Sequence, residues 1–522
     1  MNEKNLGQFF TPENVAKFMV ELASINPNGR ILEPSSGKGV FIKELFDKGY
    51  ENISGYEIDN ALIQDYSEYI SNTSFISSNV NDKFDLVIGN PPYIRWKNLC
   101  DQQKDELNKN RLWIKYFNSL CDYLYIFILK SVELLNDGGE LIFITPEYWI
   151  STTHAQTLRD YLVRNGYFTH IINFIETKIF DGVASSAIIF KYIKAKNNYD
   201  TKIKIIKYNS QKKLEQEVLD KILHEIPDQS IDVFYKNQFI KGQKWILVKD
   251  ETEDILRKYE ILCKHSNQFF DDEFSAPVTL QDIADIGNGM VSGLDKAFQI
   301  PSNMILTNLE ENATINVIKA KNINKYYYDR VNRYIFLNGK AATEKELINE
   351  YPNFYSLLNP HVKELNNRYN YNKHINYWEW VFPRSLALFS RPSSRIFVPC
   401  KERISHKKYF RFTFADAGLY PTQDVTGIIL KPQVRESIFY ILALLNSDIV
   451  FEWIRTKGII KGNIIEFSEK PLASIPIRMI DWNNVDEVKI HDLTSDLCKQ
   501  YILTKDASKL ETLYSILCQI IS

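Results

Sequence analysis

A chain of 522 residues is too long for one ordinary hydrophobic core, so we expect two or three domains. Its formal net charge is only −2, so a nucleic-acid partner cannot be inferred from net charge and would need a local basic surface. The six cysteines form no Cys-x-x-Cys pair, which argues against a zinc site or a disulfide framework and favours a reducing, cytoplasmic location with no bound metal. The polar N-terminus and the lack of an apolar run of about 20 residues argue against secretion and membrane spanning.

The first motif runs from Gly7 to Glu13 and precedes an amphipathic helical pattern. Thr11-Pro12 is typical of a helix start, because a threonine oxygen can cap free backbone N–H groups and proline suits the first turn. We therefore expect a helix to begin here. Its apolar face is formed by Val15, Phe18, Met19 and Leu22.

A short apolar strand at 31–33 runs into a turn that contains Gly37 and Gly39, and a second helical pattern follows. This arrangement suits a nucleotide-like ligand, since glycines let the backbone approach closely and a helix N-terminus offers free N–H groups to an anionic end. The turn is not a Walker phosphate loop, because Gly37-Lys38 is not followed by Ser or Thr. A tight turn without any ligand explains this motif equally well.

The next predicted strand, at 53–59, ends in acidic residues that lie about 20 positions after the glycine turn. Folds of this kind hold a ribose by its two hydroxyls at that position. Glu57 is the candidate for this contact, and Asp59 is interpreted as a solvated neighbour.

Residues 84–93 form an apolar strand that ends in Asn90-Pro91-Pro92-Tyr93. The two prolines lack N–H groups and fix φ, so the backbone after Asn90 is stiff, extended and rich in free carbonyls. A planar amine such as that of adenine is a poor nucleophile, and two acceptors, the Asn90 side-chain oxygen and the Pro91 carbonyl, can hold its two N–H groups. Tyr93 offers a flat ring on which an extruded base can stack. The alternative is a proline-stiffened loop with a surface tyrosine.

Two further apolar stretches complete an alternation of strands and helices that predicts a parallel sheet with helices on both faces. Phe127 lies in the helical stretch 124–129, and a strand is predicted at 140–146. Phe180 opens a loop before a strand that ends at Phe190. Both phenylalanines are equally compatible with a purely structural role in the core.

These motifs resemble those of the gamma-class DNA adenine-N6 methyltransferases, the TaqI-methylase-like group of type II restriction-modification methylases. The resemblance covers roughly the first 190 positions and is carried by the opening Phe10-Thr11-Pro12, the glycine turn and Asn90-Pro91-Pro92-Tyr93. It implies an α/β fold with a Rossmann-like sheet that binds S-adenosyl-L-methionine, followed by a target recognition domain.

The resemblance also implies a set of cofactor-binding residues: Thr11, Glu33, Ser35, Gly37, Gly39, Glu57 and Phe127. Within this set, Glu57 would bind the ribose, Phe127 the cofactor's adenine, and the others the methionine end. The family usually places an Asp after its third strand, whereas the predicted strand at 74–80 offers Ser78 or Asn79 as a neutral acceptor. The target adenine would then lie between Tyr93 and Phe180.

We place the boundary between domains near residue 240, giving a catalytic domain at 1–240 and a target recognition domain at 241–522. The second part changes to short strands and turns, which predicts an α+β domain, and its end at 485–521 has helical spacing. The stretch 401–412 interleaves cations with aromatic residues, as phosphate contacts and stacking would require. An exposed amphipathic hairpin is an equal alternative for this stretch.

The sequence thus predicts transfer of a methyl group to the N6 amine of a flipped adenine in double-stranded DNA, by a monomer that serves a restriction-modification system or acts as an orphan methylase. A separately encoded restriction endonuclease that cuts the same site is a candidate partner. The asparagine at 90 favours adenine over cytosine N4, whose enzymes generally have Ser or Asp there. The alternatives are a protein-glutamine N5 methyltransferase, because an amide NH2 poses the same geometric problem, and a catalytically silent DNA-binding module.

Overall fold

The structure is a computed structural model that describes residues 9–175, 177–180, 186–195, 200–210, 212–264, 276–370, 374–404, 407–461 and 464–521. The chain divides into two compact units, at 1–252 and 253–522. The catalytic and recognition functions assigned to the two parts from the sequence remain predictions. Among the described residues, no helix combines the length and the apolar character needed to cross a membrane.

The first unit is built on a large mixed sheet. Its strands are β1 Ile31–Glu33, β2 Ile53–Tyr56, β3 Ile70–Ser71, β4 Phe84–Gly89, β5 Leu135–Pro146, β6 Gly166–Asn173, β7 Ala187–Lys194, β8 Ile203–Tyr208 and β9 Ile231–Lys236. Within the described residues they form one sheet in the order β3-β2-β1-β4-β5-β7-β6-β8-β9. The strands from β3 to β5 in this order are parallel, whereas β7 is antiparallel to both of its neighbours.

The predicted α/β sheet is therefore confirmed, but the expectation that it is parallel throughout is wrong. β6 and β7 follow each other in the chain and pair side by side, and a direct connection between neighbouring strands favours antiparallel pairing.

Helices cover both faces of this sheet. They are α1 Glu13–Glu21, α2 Val40–Asp47, α3 Asp101–Lys109, α4 Arg111–Tyr116, α5 Leu124–Leu134, α6 Gln156–Asn165 and α7 Gln216–Leu223. The next helix, α8 Asp250–Leu262, begins just before the division at 252, and its buried residues Leu256 and Tyr259 belong to the core of the second unit. Leu32 and Val87 belong to a core cluster with α5, whereas the preceding residues Ile31 and Leu86 pack with α1 and α2. Side chains alternate between the faces of a strand, so these continuous apolar strands are buried on both sides.

The parallel strands bring their carboxyl ends to one edge of the sheet. Ile31 of β1 pairs with Ile53 of β2 and with Leu86 of β4, so the three strands are in close register. Glu33 ends β1, Glu57 follows β2 and Asn90 follows β4. This is the edge at which open α/β sheets bind their ligands.

Two local expectations about the first unit are wrong. The stretch 74–80 is a turn and not the third strand, which is Ile70–Ser71. Serines within the turn bond to its backbone: the Ser74 hydroxyl accepts from the Ile76 N–H at 3.2 Å, and the Ser78 hydroxyl donates to the Phe75 carbonyl at 2.8 Å. Such bonds compete with strand pairing.

The start of α1 also differs from the expectation. Pro12 is the N-cap residue and makes no side-chain cap, and the Pro12 carbonyl accepts the N–H groups of Val15 and Ala16. Thr11 therefore lies one residue before the cap. Its hydroxyl is used elsewhere, as described below.

The second unit is α+β. Its strands are β10 Ala284–Asn288, β11 Thr314–Ile318, β12 Asn332–Ile335, β13 Arg395–Pro399, β14 Lys401–Arg403, β15 Thr413–Ala415, β16 Leu419–Pro421, β17 Val425–Leu430, β18 Ile460–Lys461 and β19 Ile464–Glu466. The described strands form three small sheets, in the orders β10-β17-β13-β15, β12-β11-β16 and β14-β19-β18.

The helices of this unit are mostly short. They are α9 Leu280–Ile283, α10 Asp295–Phe298, α11 Asn308–Glu311, α12 Glu344–Glu350, α13 Pro352–Leu358, α14 Val362–Asn366, α15 Leu386–Phe389, α16 Ile438–Leu445, α17 Asp448–Lys457, α18 Glu469–Ala473, α19 Val485–Thr504 and α20 Ala507–Ile521. Buried residues of α16, α19 and α20 share one core cluster, so the last two helices pack into the body of the unit.

The basic stretch at 401–412 is divided between buried and exposed side chains; Ser405 and His406 lie outside the described residues. Lys401, Arg403, Lys408 and Tyr409 are exposed. Phe410 and Phe412 are buried in the core. Lys407 and Arg411 both pair with the buried carboxylate of Glu402. Phe410, Phe412 and the pairs with Glu402 therefore have a structural role, whereas contacts of the exposed side chains with DNA stay a prediction.

Candidate active site

Asn90 is held in one orientation at the end of β4. Its Nδ2 donates to the main-chain carbonyl of Phe9 at 2.7 Å and to the hydroxyl oxygen of Thr11 at 3.2 Å. A carbonyl can only accept, so these bonds fix which end of the amide is nitrogen. The other end, Oδ1, is buried and has no hydrogen-bond partner among the described residues. A buried acceptor without a partner is uncommon in a folded protein and calls for an explanation at this position.

The prolines after Asn90 link it to a cavity. Pro91 is buried and Pro92 lines the cavity. The Ser35 hydroxyl donates to the Asn90 carbonyl at 3.1 Å, which joins the glycine-rich turn after β1 to the loop after β4. The two motifs that the sequence analysis identified separately are thus one piece of structure.

Tyr93 and Phe180 both contact the ring of Phe9. The rings of Phe9 and Tyr93 are stacked, with centroids 4.8 Å apart and an interplanar angle of 5°. The Phe180 centroid lies 6.0 Å from that of Phe9, at 49°. The Tyr93 hydroxyl is buried with no hydrogen-bond partner in the described part of the chain, and burial raises the pKa of this phenol well above its usual value.

Phe9 is a site residue that the sequence analysis did not single out, although it lies in the opening motif. The phenylalanine pair directly before Thr11-Pro12 was the available signal. Its ring was not assigned a role because the sequence does not show which later segments it contacts.

The segment that carries Phe180 is fastened at both ends by a network that sequence reasoning also missed. Glu147, after β5, accepts from the Asn173 amide at 2.9 Å and from the Ser186 hydroxyl at 2.6 Å. Asn173 ends β6, and Ser186 directly precedes β7. Residues 181–185 of the predicted loop lie outside the described residues.

The carboxylate of Glu57 is fixed by the backbone. One oxygen accepts from the Gly37 N–H at 2.8 Å and the other from the Asp59 N–H at 2.9 Å. Each carboxylate oxygen keeps a second lone pair for another donor, as two ribose hydroxyls would require. Gly37 has φ of +53°, a conformation that glycine adopts without the steric cost of a side chain.

Glu33 presents a buried carboxyl with one unpartnered oxygen. It is 1% exposed, and its Oε2 has no hydrogen-bond partner among the described residues. Desolvation raises the pKa of this carboxyl well above its usual value, and the negative charge of Glu57 adds to the rise. A cationic ligand would supply the missing partner.

A cavity with about 700 Å³ of empty space, including its open part, joins these groups. Its lining includes Ser35, Gly37, Glu57, Asn90 and Phe127. With Pro92, six of the predicted site residues, from motifs far apart in sequence, thus line one space.

Six other predicted site residues are not part of this lining: Thr11, Glu33, Gly39, Pro91, Tyr93 and Phe180. Thr11 supports Asn90, Glu33 ends the buried strand β1, and Gly39 is the N-cap residue of α2 with φ of +80°.

Ser78 and Asn79 line a second cavity, which shares Thr73, Ser74 and other lining residues with the first. Ser74, from the start of the same turn, lines both cavities. Phe75, the next residue, lines the first cavity. The Lys130 ammonium fastens this turn by donating to the carbonyls of Phe75, Ile76 and Ser78. Ser74 is therefore a further acceptor at the position where the sequence analysis considered Ser78 and Asn79.

Phe127 is buried at the back of the first cavity. Its ring centroid lies 5.5 Å from that of Phe75, with the rings tilted by 41°. The residue both lines the cavity and belongs to the core cluster of α5. The two interpretations of Phe127 from sequence are thus compatible.

No group of three His, Cys, Asp or Glu side chains in the described ranges is arranged to hold a metal ion. Three motifs follow neighbouring strands of this sheet: the glycine turn after β1, the acid after β2 and Asn-Pro-Pro-Tyr after β4. Together they define a Rossmann-like methyltransferase.

Comparison with known proteins identifies the family. Residues 18–180 match the model of the Eco57I restriction-modification methylase. The chain is 46% identical over 510 residues to the Type II methyltransferase M.HindII of Haemophilus influenzae, covering 97% of this chain and 95% of that protein. It is 43% identical over 509 residues to M.HincII of Haemophilus influenzae, with the same shares covered. The chain belongs to the Eco57I-type restriction-modification methylases and is a Type II DNA methyltransferase.

A solved structure supports the fold. The Type IIL restriction-modification enzyme MmeI, determined in complex with DNA, matches 99% of this chain and 72% of its own with a TM-score of 0.55. The sequence identity is 12%, so this likeness concerns the fold alone. The resemblance stated from the motifs is confirmed at the level of the restriction-modification methylase family.

Proposed function

We propose that this methyltransferase methylates the N6 amine of an adenine that is flipped out of duplex DNA, with S-adenosylmethionine as the methyl donor. The observation that carries the proposal is the buried, unpartnered Oδ1 of Asn90, whose amide is oriented by Phe9 and Thr11. An adenine amine would supply the N–H that this oxygen lacks.

The residues around Asn90 support this assignment. The Pro91 carbonyl is the second acceptor for the amine, and Pro92 keeps the backbone extended. With both N–H groups held, the nitrogen lone pair is directed away from the ring plane, which is the state that reacts. Tyr93 and Phe180 would hold the two faces of the extruded base. No general base is required if the proton leaves to water after the transfer.

The residues in and around the cavity fit S-adenosylmethionine. Glu57 keeps lone pairs for two hydroxyls, and Glu33 lacks a cationic partner. Ser35, Gly37 and Gly39 belong to the glycine turn after β1 and, with Thr11, are assigned to the methionine end of the cofactor. Phe127 and one of Ser78 or Asn79 are assigned to its adenine. When bound, the cofactor supplies a methyl group on a cationic sulfur, which makes that carbon electrophilic.

The second unit is proposed to recognise the target sequence, as the region 241–522 was expected to do. A duplex substrate needs contacts on more than the flipped nucleotide, because phosphate contacts position a protein and groove contacts give it specificity. We further propose that the enzyme acts as a monomer and that a separately encoded endonuclease cuts the same site when it is unmodified.

The test is transfer of labelled methyl from S-adenosylmethionine to duplex DNA, with the modified bases mapped. Asn90→Ala is compared with Asn28→Ala, which removes an exposed asparagine before the opposite end of β1. Methyladenine at one short motif, lost only in Asn90→Ala, would support the proposal and give the recognition sequence. Methylcytosine would overturn the adenine assignment. Transfer to a protein glutamine but not to DNA would favour the alternative that the tetrapeptide leaves open.

A further inference from the structure

Phe9 occupies the space next to the proposed base-holding rings. Its ring is parallel to that of Tyr93 at a centroid distance of 4.8 Å, and it also contacts Phe180 at 6.0 Å. A parallel arrangement at this distance is the one that a base adopts on an aromatic side chain. A base held between Tyr93 and Phe180 would need the place that the Phe9 ring takes.

The main chain of the same residue has a separate contact. The Phe9 carbonyl accepts from Asn90 Nδ2 at 2.7 Å, and Thr11 accepts from the same nitrogen. Turning the Phe9 side chain about its own bonds leaves this carbonyl in place. The ring can therefore leave the space beside Tyr93 while the catalytic amide keeps its orientation.

We propose that the Phe9 ring is a stand-in for the target base: it fills the space between Tyr93 and Phe180 when no base is present and turns away when the base enters. This inference rests on the proposed function and adds the step by which the base site is kept closed before DNA arrives. Phe9 is only half-buried and also lines the first cavity, so open space adjoins the residue.

The stand-in has two consequences for base entry. It keeps an apolar surface over Tyr93, whose buried hydroxyl has no hydrogen-bond partner among the described residues. It also makes the entering base compete with the Phe9 ring for the face of Tyr93. Removing the ring should therefore favour base entry, whereas a larger ring at this position should oppose it.

The experiment measures the dissociation constant for two duplexes at one salt concentration: one with adenine at the mapped target, and one with an abasic site there. The abasic duplex has no base to displace Phe9, so the ratio of the two constants isolates base entry from backbone contacts. Phe9→Ala should shift this ratio about two- to tenfold in favour of the adenine duplex, the range expected for one aromatic pair. Phe9→Trp should shift it in the opposite direction.

Tyr235→Ala, which removes an exposed aromatic side chain from β9, is the matched control and should leave the ratio unchanged. A ratio that shifts against the adenine duplex in Phe9→Ala would show that Phe9 is a permanent wall of the base site and would overturn the inference. An unchanged ratio would overturn it as well. If Phe9→Ala does not fold, Phe9→Leu, which keeps an apolar side chain without ring faces, should give a smaller shift of the same sign.

Failure of this inference and failure of the proposed function give different results. Wild-type enzyme that forms no methyladenine contradicts the proposed function. Wild-type enzyme that forms methyladenine, together with a Phe9→Ala ratio that is unchanged or reversed, contradicts only the role of Phe9.

Discussion

Two walls of the active site, one assigned to the cofactor and one to the base, differ in which of their polar groups lack a partner. On the wall assigned to the cofactor, both oxygens of Glu57 already accept main-chain N–H groups. On the wall assigned to the base, Asn90 Oδ1 and the Tyr93 hydroxyl are buried without partners among the described residues. The cofactor wall also has one such group, the Oε2 of Glu33. Unpartnered buried polar groups cost stability, so each wall has groups that its own ligand would satisfy. Changes on the two walls should therefore affect different steps.

The largest effect is expected for Asn90→Ala. It removes an acceptor that acts mainly in the transition state, and the loss of such a contact typically lowers turnover about 10²- to 10³-fold. Cofactor affinity, measured by titration calorimetry, should stay within about tenfold of wild type, because Glu57 and the glycine turn are untouched. An equal loss of cofactor affinity and turnover would mean that the two walls are not independent.

The next effect is expected for Tyr93→Ala, which removes the proposed stacking surface. Stacking of one base on an aromatic side chain contributes about 1–3 kcal/mol, so affinity for target duplex should fall roughly tenfold or more. The signal of 2-aminopurine placed at the target should fall with it, while cofactor affinity is retained.

Tyr93→Phe is the matched control for this experiment. It keeps the ring and removes a hydroxyl that has no hydrogen-bond partner in the described part of the chain. It should stay within about threefold of wild type in both assays. A 2-aminopurine response that survives Tyr93→Ala would remove Tyr93 from the base wall.

Glu57→Ala tests the opposite wall. Loss of hydrogen bonds to a charged group costs about 1.5–3 kcal/mol, so the dissociation constant for S-adenosylmethionine should rise by roughly 10- to 100-fold. With saturating cofactor, turnover should recover, because the contacts of Asn90 are intact. Glu68→Ala, at an exposed glutamate of the same unit, should change neither value. Turnover that stays low at saturation would contradict the separation of the walls.

The smallest effect is expected for Glu33→Gln, in a stability measurement without cofactor. The pKa of Glu33 is raised by burial and by Glu57, so the folded protein holds this proton to higher pH than the unfolded chain does. Ionisation therefore destabilises the fold increasingly as pH rises above about 4.5, the ordinary value for the unfolded chain. The glutamine removes this penalty, and Tm should rise by about 2–4 °C at pH 8.

The difference in Tm between Glu33→Gln and wild type should shrink towards pH 5, where less of the penalty has developed. The same variant should bind S-adenosylmethionine more weakly, because the negative charge is gone. A Tm difference that does not depend on pH would mean that ionisation of Glu33 does not destabilise the fold.

The parts of the site that could be predicted from the sequence are those in which a reactive or binding side chain lies within a few residues of the strand that positions it. Asn90 follows a buried strand and is followed by two prolines, and Glu57 follows the next strand after the glycine turn. In such motifs the local sequence already determines where the side chain lies relative to the sheet edge. Their presence in one cavity follows from the parallel register of β1, β2 and β4.

The parts that were missed depend on contacts between distant segments. The Phe9 carbonyl bonds to a side chain 81 positions away, and Thr11 supports the same side chain instead of capping α1. The resemblance places the third strand at 74–80, whereas the structure has a turn there, whose backbone is satisfied by the Ser78 hydroxyl and the Lys130 ammonium. Neither contact leaves a periodic signal in the sequence.

The network of Glu147, Asn173 and Ser186 has a consequence for how this enzyme can be altered. It joins the two ends of the segment at 174–185 through side chains outside that segment. Closing a longer loop between fixed ends costs little, about 0.6 kcal/mol for each doubling of its length. Insertions between Phe180 and Ser186 should therefore leave the pairing of β6 and β7 intact. Phe174 and Phe180 are buried, and Phe180 is also assigned to the base site, so both have to be kept when sequences from related enzymes are grafted here.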